Sequence, residues 1–379
     1  MKIYCEDSLL YARAFFSDWG EVCLFSGSTV EADTLRDADI LLTRSTTKVN
    51  AALLSKCDKL KFVGTGTAGF NHLDTAYLQQ RQIPWSAAPG CNAVAVAEYV
   101  ISSLFALALK HHWDLTEKCV GIVGAGQVGS ALSQKLKALG MDYRLCDPPL
   151  AEAGDPRSFV DMPDIMACDI ISLHVPLVDS GPYPTRHLFD QMLLSSLEPH
   201  QVLINACRGE VVDNQALLEL CHSGTHPMLV MDVWENEPAI RTGLIPYTQL
   251  ATAHIAGHTL EGKARGTEIL YQRLAEYLNL PRRHRLEDFL PAPQTDLLYP
   301  DSALSPQEAL GRLVFSVYDI RRDDKDFRVS VTGPAEFEYI RKHYAIRREF
   351  ASASVCTGNS AMTEAILGLG FSVNPTIGE

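Results

Sequence analysis

GIVGAGQVG, Gly121–Gly129, decides the architecture of this chain. It continues a short apolar run, Cys119–Val123, and opens a stretch with helical spacing from Gln127 to about Leu139. Strand, glycine loop and helix in that order make a dinucleotide-binding turn. Gly124 permits the tight bend, Gly126 lets the backbone approach a pyrophosphate, and Gly129 lets helix and strand pack closely. The backbone N–H groups of the helix start, at Gly126, Gln127, Val128 and Gly129, would meet the anion there, where the helix dipole also favours it. The next strand-like run, Asp142–Cys146, ends at Asp147. An acid at that spacing receives the adenine-ribose hydroxyls and repels the extra phosphate of NADP, so NAD is the expected cofactor. Arg144, within that strand, does not obviously replace it.

Three further segments follow predicted strands: NACRGEVVD (Asn205–Asp213), MDVWENEP (Met231–Pro238) and TAHIAGH (Thr252–His258). Their strands are Val202–Asn205, Leu229–Val233 and Leu250–His254. Ligands of such sheets bind outside the carboxyl ends of the strands, and these ends offer Arg208, Glu237 and His254. Oxidising a secondary alcohol removes a hydride from carbon and a proton from oxygen, and histidine is the natural base near neutrality. A carboxylate beside His254 would orient the ring and favour its charged form. Glu237 is the better candidate and Glu235 its neighbour and rival. The Arg208 guanidinium can hold a 2-hydroxy acid through its carboxylate, with a two-pronged geometry lysine lacks. Asp232, an acid inside a strand, reads as an acceptor for the nicotinamide amide. Each residue alone has an ordinary structural reading; together at the strand ends of one nucleotide-binding fold they point to hydride transfer.

The first ~90 residues alternate strand-like runs (Lys2–Cys5, Val22–Phe25, Ile40–Thr43, Phe62–Thr65, Trp85–Ala87) with helical ones (Ser8–Trp19, Asn50–Lys56). The glycine loop lies about a third of the way in, so a Rossmann-type NAD-binding domain (94–258) is inserted into a flavodoxin-like substrate or lid domain (1–93, completed by about 259–280). Pro281–Pro300, rich in proline and charge, reads as a linker. The rest (301–379) reads as a small α+β domain, with helices at Ser305–Ile320, Pro334–Tyr344 and Asn359–Leu369 and strands at Phe327–Val331 and Phe350–Val355. Leu310, Leu313, Val314 and Val317, with Tyr339 and Ile340, look too apolar for so short a tail to hide. They predict a homodimer through this domain.

NACRGEVVD, DVWENEP and TAHIAGH resemble the signatures of the D-2-hydroxyacid dehydrogenase family over roughly residues 1–280. The resemblance assigns catalysis to Arg208, Glu237 and His254 and suggests that Ala206, Cys207, Arg208, Asp232 and Gly257 touch NAD. The short HHWDLTEKCVG connection, LLTRSTTKV and GTGTAGFNHLD in the first domain, and GPAEFEYIRKHYAIRREF near the end are similar to one branch of that family. That branch oxidises 4-phosphoerythronate to the 2-oxo acid on the route to vitamin B6. It implies substrate contacts from Ser45 and Thr67. The residues agree, because both lie at strand ends where hydroxyls and the Gly66 N–H could hold a carboxylate. Arg44 beside Ser45, and the Arg347–Arg348 pair, are the candidates for a substrate phosphate. His258 stands where relatives carry tyrosine. The alternatives are the same chemistry on 3-phosphoglycerate or another small 2-hydroxy acid, and an NAD-sensing scaffold that binds other proteins.

The formal charge of −13, from 33 basic and 46 acidic side chains, argues against nucleic acid as a partner. The ten cysteines are scattered without metal-ligand spacing, and no metal is expected. With no signal peptide at MKIYCEDSLL, the reading is a reducing cytoplasm. Ala93–Leu109 is nearly all apolar but carries Glu98, Ser102 and Ser103; it reads as a buried helix, with no membrane implied.

Overall fold

The computed structural model describes residues 1–292 and 297–375. The chain forms two compact units, Met1–Asn92 with Thr259–Ala292, and Ala93–His258 with the described part of Pro293–Glu379. Residues 293–296 of the expected linker and 376–379 of the expected C-terminal domain lie outside the described residues.

The first unit opens with β1 (Lys2–Glu6), α1 (Ala12–Phe16), β2 (Glu21–Phe25), β3 (Ile40–Thr43), β4 (Phe62–Thr65), α2 (Thr75–Gln80) and β5 (Trp85–Ser86). All five strands are parallel, in the order β2-β1-β3-β4-β5, the flavodoxin-like order. Both faces of the sheet are covered, so its strands read as continuous apolar runs. Ile3, Cys5, Ile40, Leu42 and Phe62 belong to one core cluster, Leu41 and Val63 to the other. Two expected helices shrink. Ser8–Trp19 keeps only α1, which begins after Tyr11 in the left-handed region (φ 60°). Asn50–Lys56 is a series of turns, consistent with the cost of nucleating so short a helix.

The second unit begins with α3 (Ala93–His111), whose apolar length is core: Val96, Tyr99, Val100, Ile101 and Leu104 are all buried. There follow β6 (Cys119–Val123), α4 (Gln127–Ala138), β7 (Asp142–Cys146), α5 (Pro148–Glu152), α6 (Met162–Met166), β8 (Ile170–Leu173), α7 (Gln191–Ser195), β9 (Val202–Asn205), α8 (Asn214–Ser223), β10 (Met228–Met231) and β11 (Thr248–Ala251). These six strands are parallel in the order β11-β10-β9-β8-β6-β7. The strand order reverses at β6, flanked by β7 and β8, and that is the switch point where ligands of such sheets bind. The strand expected over Leu250–His254 ends at Ala251, so His254 sits three residues beyond it. Then α9 (Leu260–Leu278) belongs to the first unit, where Tyr271 packs with Phe15, Phe16 and Trp19.

The C-terminal segment differs from expectation in three ways. Residues 327–331, expected as strand, fall in a helix and at its end: α10 (Pro306–Val317) is followed by α11 (Ile320–Ser330). Asp319 caps α11, and Ile320, Phe327 and Val331 recur at helical spacing as its buried side. Second, Leu310, Leu313 and Val314 are 7%, 4% and 0% exposed. α10 lies on α3, and a Cβ on Gly311 would come within 3.1 Å of Phe105. The chain itself covers that apolar run, which is therefore not a dimer face. Third, α12 (Pro334–Lys342), β12 (Ser354–Thr357), α13 (Ser360–Leu369) and β13 (Ser372–Pro375) are grouped in one compact unit with the nucleotide half. Phe350, Val355, Ile366, Leu369 and Phe371 share one core with Val120, Ile122, Leu132 and Leu136 of the nucleotide half. Phe350–Ser352, expected as strand, is a short 3-10 turn before β12.

Candidate active site

The glycine loop has the form a dinucleotide needs. Gly124 adopts φ +91°, and a Cβ there would lie 2.6 Å from the His174 carbonyl oxygen; on Gly129 it would lie 2.2 Å from that of Gly124. Gly126 has nothing within 4 Å of a built Cβ and is the N-cap of α4 without a side-chain cap. Gly126 and Gln127 are exposed. An uncapped helix start beside a switch point fits a pyrophosphate. Asp147 follows β7 and does two things: Oδ2 accepts the Ala125 N–H at 2.8 Å, and Oδ1 accepts the Leu150 N–H at 3.1 Å as N-cap of α5. It therefore anchors the loop it was expected to serve. Arg144 turns away, donating to the Asp164 carbonyl at 3.0 Å.

The structure brings His254 and Glu237 together. His254 Nδ1 and Glu237 Oε2 are 2.7 Å apart, and Glu237 Oε1 accepts the Trp234 N–H at 2.9 Å. His254 adopts φ 56° and donates its N–H to the Asp232 carbonyl at 2.7 Å. With Nδ1 held by the carboxylate, Nε2 is the nitrogen left to exchange a proton. Burial pushes the Glu237 carboxyl up, but the charge and N–H of His254 and the Trp234 N–H outweigh it, leaving it below the usual carboxylate range. Glu235, the rival, is engaged elsewhere: it meets His187 Nε2 at 2.6 Å and accepts the Asn214 N–H at 2.8 Å.

Arg208 follows β9, half-buried, with Nη1 on the Cys207 carbonyl at 2.7 Å. Among the described residues no carboxylate pairs with it. Gly209 is obligatory, since a Cβ there would fall 2.0 Å from the Trp234 carbonyl. Ala206 is buried, and burial pushes the Cys207 thiol up to about 11, so it is no nucleophile at neutral pH. Asp232 also has partners within the chain. It is 1% exposed, and its oxygens accept from Thr252 Oγ1 (2.7 Å), Ile255 N–H (2.7 Å) and Ala256 N–H (3.0 Å). It ties down the loop that carries His254, Gly257 and His258.

In the first unit, Ser45 is exposed in the turn after β3, and Gly66 and Thr67 follow β4. Thr67 Oγ1 donates to the Gly69 carbonyl and lies 2.7 Å from Thr65 Oγ1. Sequence reasoning missed Glu6, a fully buried acid that accepts from the Arg44 N–H (2.7 Å), Thr47 Oγ1 (2.6 Å) and the Ser8 and Thr46 hydroxyls. It fixes the turn bearing Arg44 and Ser45. An acid ending an apolar strand is the one signal that could have found it.

Reasoning from sequence also missed the support from the C-terminal segment. Arg347 and Arg348 are 6% and 9% exposed, not a surface pair. Arg347 Nη2 donates to the Ala256 carbonyl at 2.7 Å and the Ala95 carbonyl at 2.9 Å, and its guanidinium lies 4.0 Å from the Tyr318 ring centre. Phe327 stacks on Trp234 at 5.7 Å, and the Trp234 N–H is the one that Glu237 accepts. The His258 ring is 6.1 Å from that of Tyr344.

Residues 103–256 match the model of the D-isomer specific 2-hydroxyacid dehydrogenase NAD binding domain, and 289–370 match a domain of unknown function (DUF3410). The chain is 58% identical to erythronate-4-phosphate dehydrogenase of Pseudoalteromonas atlantica over 98% of its length and 99% of that protein's. It is 47% identical to that of Psychromonas ingrahamii, over 99% and 97%. In fold it is similar to 3-phosphoglycerate dehydrogenase of Entamoeba histolytica (TM-score 0.62, 22% identity, 74% of this chain and 96% of that one). D-lactate dehydrogenase of Aquifex aeolicus is another such structure (TM-score 0.59, 22% identity, 74% and 96%). An NAD-dependent oxidoreductase with a Rossmann-type nucleotide fold, the chain belongs to the erythronate-4-phosphate dehydrogenase family of D-2-hydroxyacid dehydrogenases.

Proposed function

We propose that the chain oxidises 4-phospho-D-erythronate to 2-oxo-3-hydroxy-4-phosphobutanoate in pyridoxal phosphate synthesis. The observation that carries this is the His254–Glu237 pair at 2.7 Å, joined on neighbouring strand ends by an Arg208 without an acidic partner among the described residues. Bound NAD supplies a hydride acceptor. Gly124, Gly126, Gln127, Val128 and Gly129 would hold its pyrophosphate, and Asp147 its adenine ribose. Ala206, Cys207 and Gly257 would line the site. His254 Nε2 takes the proton of the 2-hydroxyl, Glu237 stabilises the resulting imidazolium, and Arg208 binds the carboxylate. Ser45, Gly66, Thr67, Arg44 and His258 serve the substrate. The first unit is the substrate body and the second the nucleotide body. The intact Arg, Glu and His favour turnover over a purely sensing scaffold.

The test is NADH formation from 4-phosphoerythronate, 3-phosphoglycerate and glycerate. The phosphorylated four-carbon acid should lead, and a stronger response to 3-phosphoglycerate would overturn the assignment. His254→Asn should abolish turnover while NAD affinity, read by calorimetry, stays within about two-fold; near-normal activity would remove His254 from its role.

We also propose a cytoplasmic homodimer. Its support is ten cysteines that are all free thiols, and the exposed Val329, Tyr339 and Ile346, at 74%, 62% and 75%, on one C-terminal stretch. Light scattering on wild type and Ile346→Glu checks it.

A further inference from the structure

Lys263 is half-buried in the first turns of α9. Among the described residues its ammonium has neither a hydrogen bond nor a carboxylate partner. Two other enclosed bases are matched: Lys135 meets Glu98 and the Leu369 carbonyl, and Arg328 meets Asp324. A buried cation without a counter-charge is unfavourable unless something else supplies one.

Its place in the fold says what that is. β3 and β4 pair in register with Thr43 opposite Thr65, and the Gly66 N–H continues the ladder onto the Thr43 carbonyl at 2.9 Å. Arg44 therefore leaves its strand beside Gly66. α9 presses on the same turn, since a Cβ on Gly266 would lie 2.2 Å from the Gly66 carbonyl oxygen. Leu270, seven residues after Lys263, meets Gly64 of β4 in the same way, at 2.9 Å. Residues 263, 266 and 270 thus share the face of α9 that covers the end of β4, and helix side chains lean toward the N-terminus. Lys263 is carried past the strand ends toward the Arg44 turn. Burial first, and then the charge of Arg44, hold its ammonium below the usual lysine range. Arg265 is close by, donating to the Cys91 carbonyl at 2.7 Å.

We propose that Lys263 and Arg44 form an oxyanion pocket in the first unit that takes the phosphate of the substrate. Two cations match a dianionic phosphate better than a carboxylate. Glu6 holds the Arg44 turn by its N–H and hydroxyls, and Ser45 adds an exposed hydroxyl beside it. The proposal rests on the reading that the substrate is phosphorylated.

The test uses the full-length enzyme, wild type, Lys263→Met and Lys263→Arg, with 4-phosphoerythronate and erythronate as substrates. Lys263→Met should raise KM for the phosphorylated acid about 30-fold and leave the weak activity on erythronate unchanged, with Lys263→Arg recovering most of the loss. Melting gives a readout independent of turnover. Inorganic phosphate should raise the Tm of wild type and not that of Lys263→Met, and without phosphate Lys263→Met should melt higher, because a like-charge neighbour is gone. A Lys263→Met enzyme equally impaired on both acids, or on neither, overturns the pocket, as does a phosphate response that survives the substitution. A wild-type enzyme that ignores 4-phosphoerythronate overturns the functional reading instead, and the phosphate melts then still decide the pocket.

Discussion

At Gly129 a single methyl group decides whether the nucleotide turn can exist, because its position is 2.2 Å from the Gly124 carbonyl oxygen. Gly129→Ala should abolish NAD binding, by calorimetry, while Gly126→Ala, with open space around it, should retain a folded loop. Asp147 has a structural role that its spacing in the sequence did not show. Sequence spacing placed it at the end of β7, but not its bond to the Ala125 N–H, which depends on how two loops meet. Asp147→Ser should therefore narrow the preference for NAD over NADP and also weaken NAD about ten-fold, the scale of one lost charge-assisted bond. An unchanged NAD affinity would mean that the loop holds itself. Glu237 carries a pH dependence whose sign follows from its direction. Its folded value lies below the ordinary 4.5, so its contribution to stability is fully present above that value and is lost as the pH falls through the folded one. The acid unfolding limb of Glu237→Gln should be flatter than that of wild type. The His254–Glu237 pair and the place of Arg208 after β9 were legible because the proposed hydride transfer needs those residue types at strand ends. Glu6 and Lys263 were not, because nothing in their local sequence marks a buried charge.

The elements explain why the C-terminal segment was the hardest part to read. FRVSV alternates like a strand, but Asp319 caps a helix start, and Asp324 and Arg328 fall one turn apart on α11, where they serve the edge strand β11. Asp324 accepts the Ala251 N–H at 2.8 Å, and Arg328 donates to the Thr248 and Ile245 carbonyls. The helix covers an edge that would otherwise offer unpaired backbone, a tertiary demand that local alternation does not reveal. The same segment braces the loop after β11 through Arg347. Arg347→Met removes the side-chain donor to the buried Ala256 carbonyl and a second donor to that of Ala95, and should cost about 2–4 kcal/mol of stability in urea unfolding. Glu98 of α3 joins these elements: it accepts the Phe350 N–H at 3.1 Å and lies 3.4 Å from Lys135 of α4. Burial pushes its carboxyl up to about 8. A raised acid stabilises below its ordinary value of 4.5 and loses that contribution as the pH rises toward about 8. Wild type should therefore lose stability relative to Glu98→Gln between pH 5 and 8, as denaturant midpoints would show; parallel pH curves for the two would count against it.

For the whole molecule, the shared core of the nucleotide half and the C-terminal segment changes what a truncation means. A chain cut near Leu290 exposes Val120, Ile122 and Leu136, partners of Phe350 and Leu369. It should be insoluble or molten rather than a folded monomer, and near-ultraviolet circular dichroism decides between them. Division into α/β bodies was legible because glycine loop, strand period and helix period agree along the first 280 residues. The merging of the C-terminal segment with one body was not, because burial partners far apart in sequence leave no local trace. The first unit is itself discontinuous: its sheet, complete by Ser86, packs against an α9 that starts at Leu260. During synthesis at about 5–20 residues per second, the ribosome makes the roughly 190 residues through the end of α9 in some 10–40 seconds. For that interval Phe15, Phe16 and Trp19 lack Tyr271 and stand open to water. The emerging N-terminal sheet is thus a client for chaperones before it is a domain, and slow decoding between codons 92 and 278 should lower the yield of soluble enzyme.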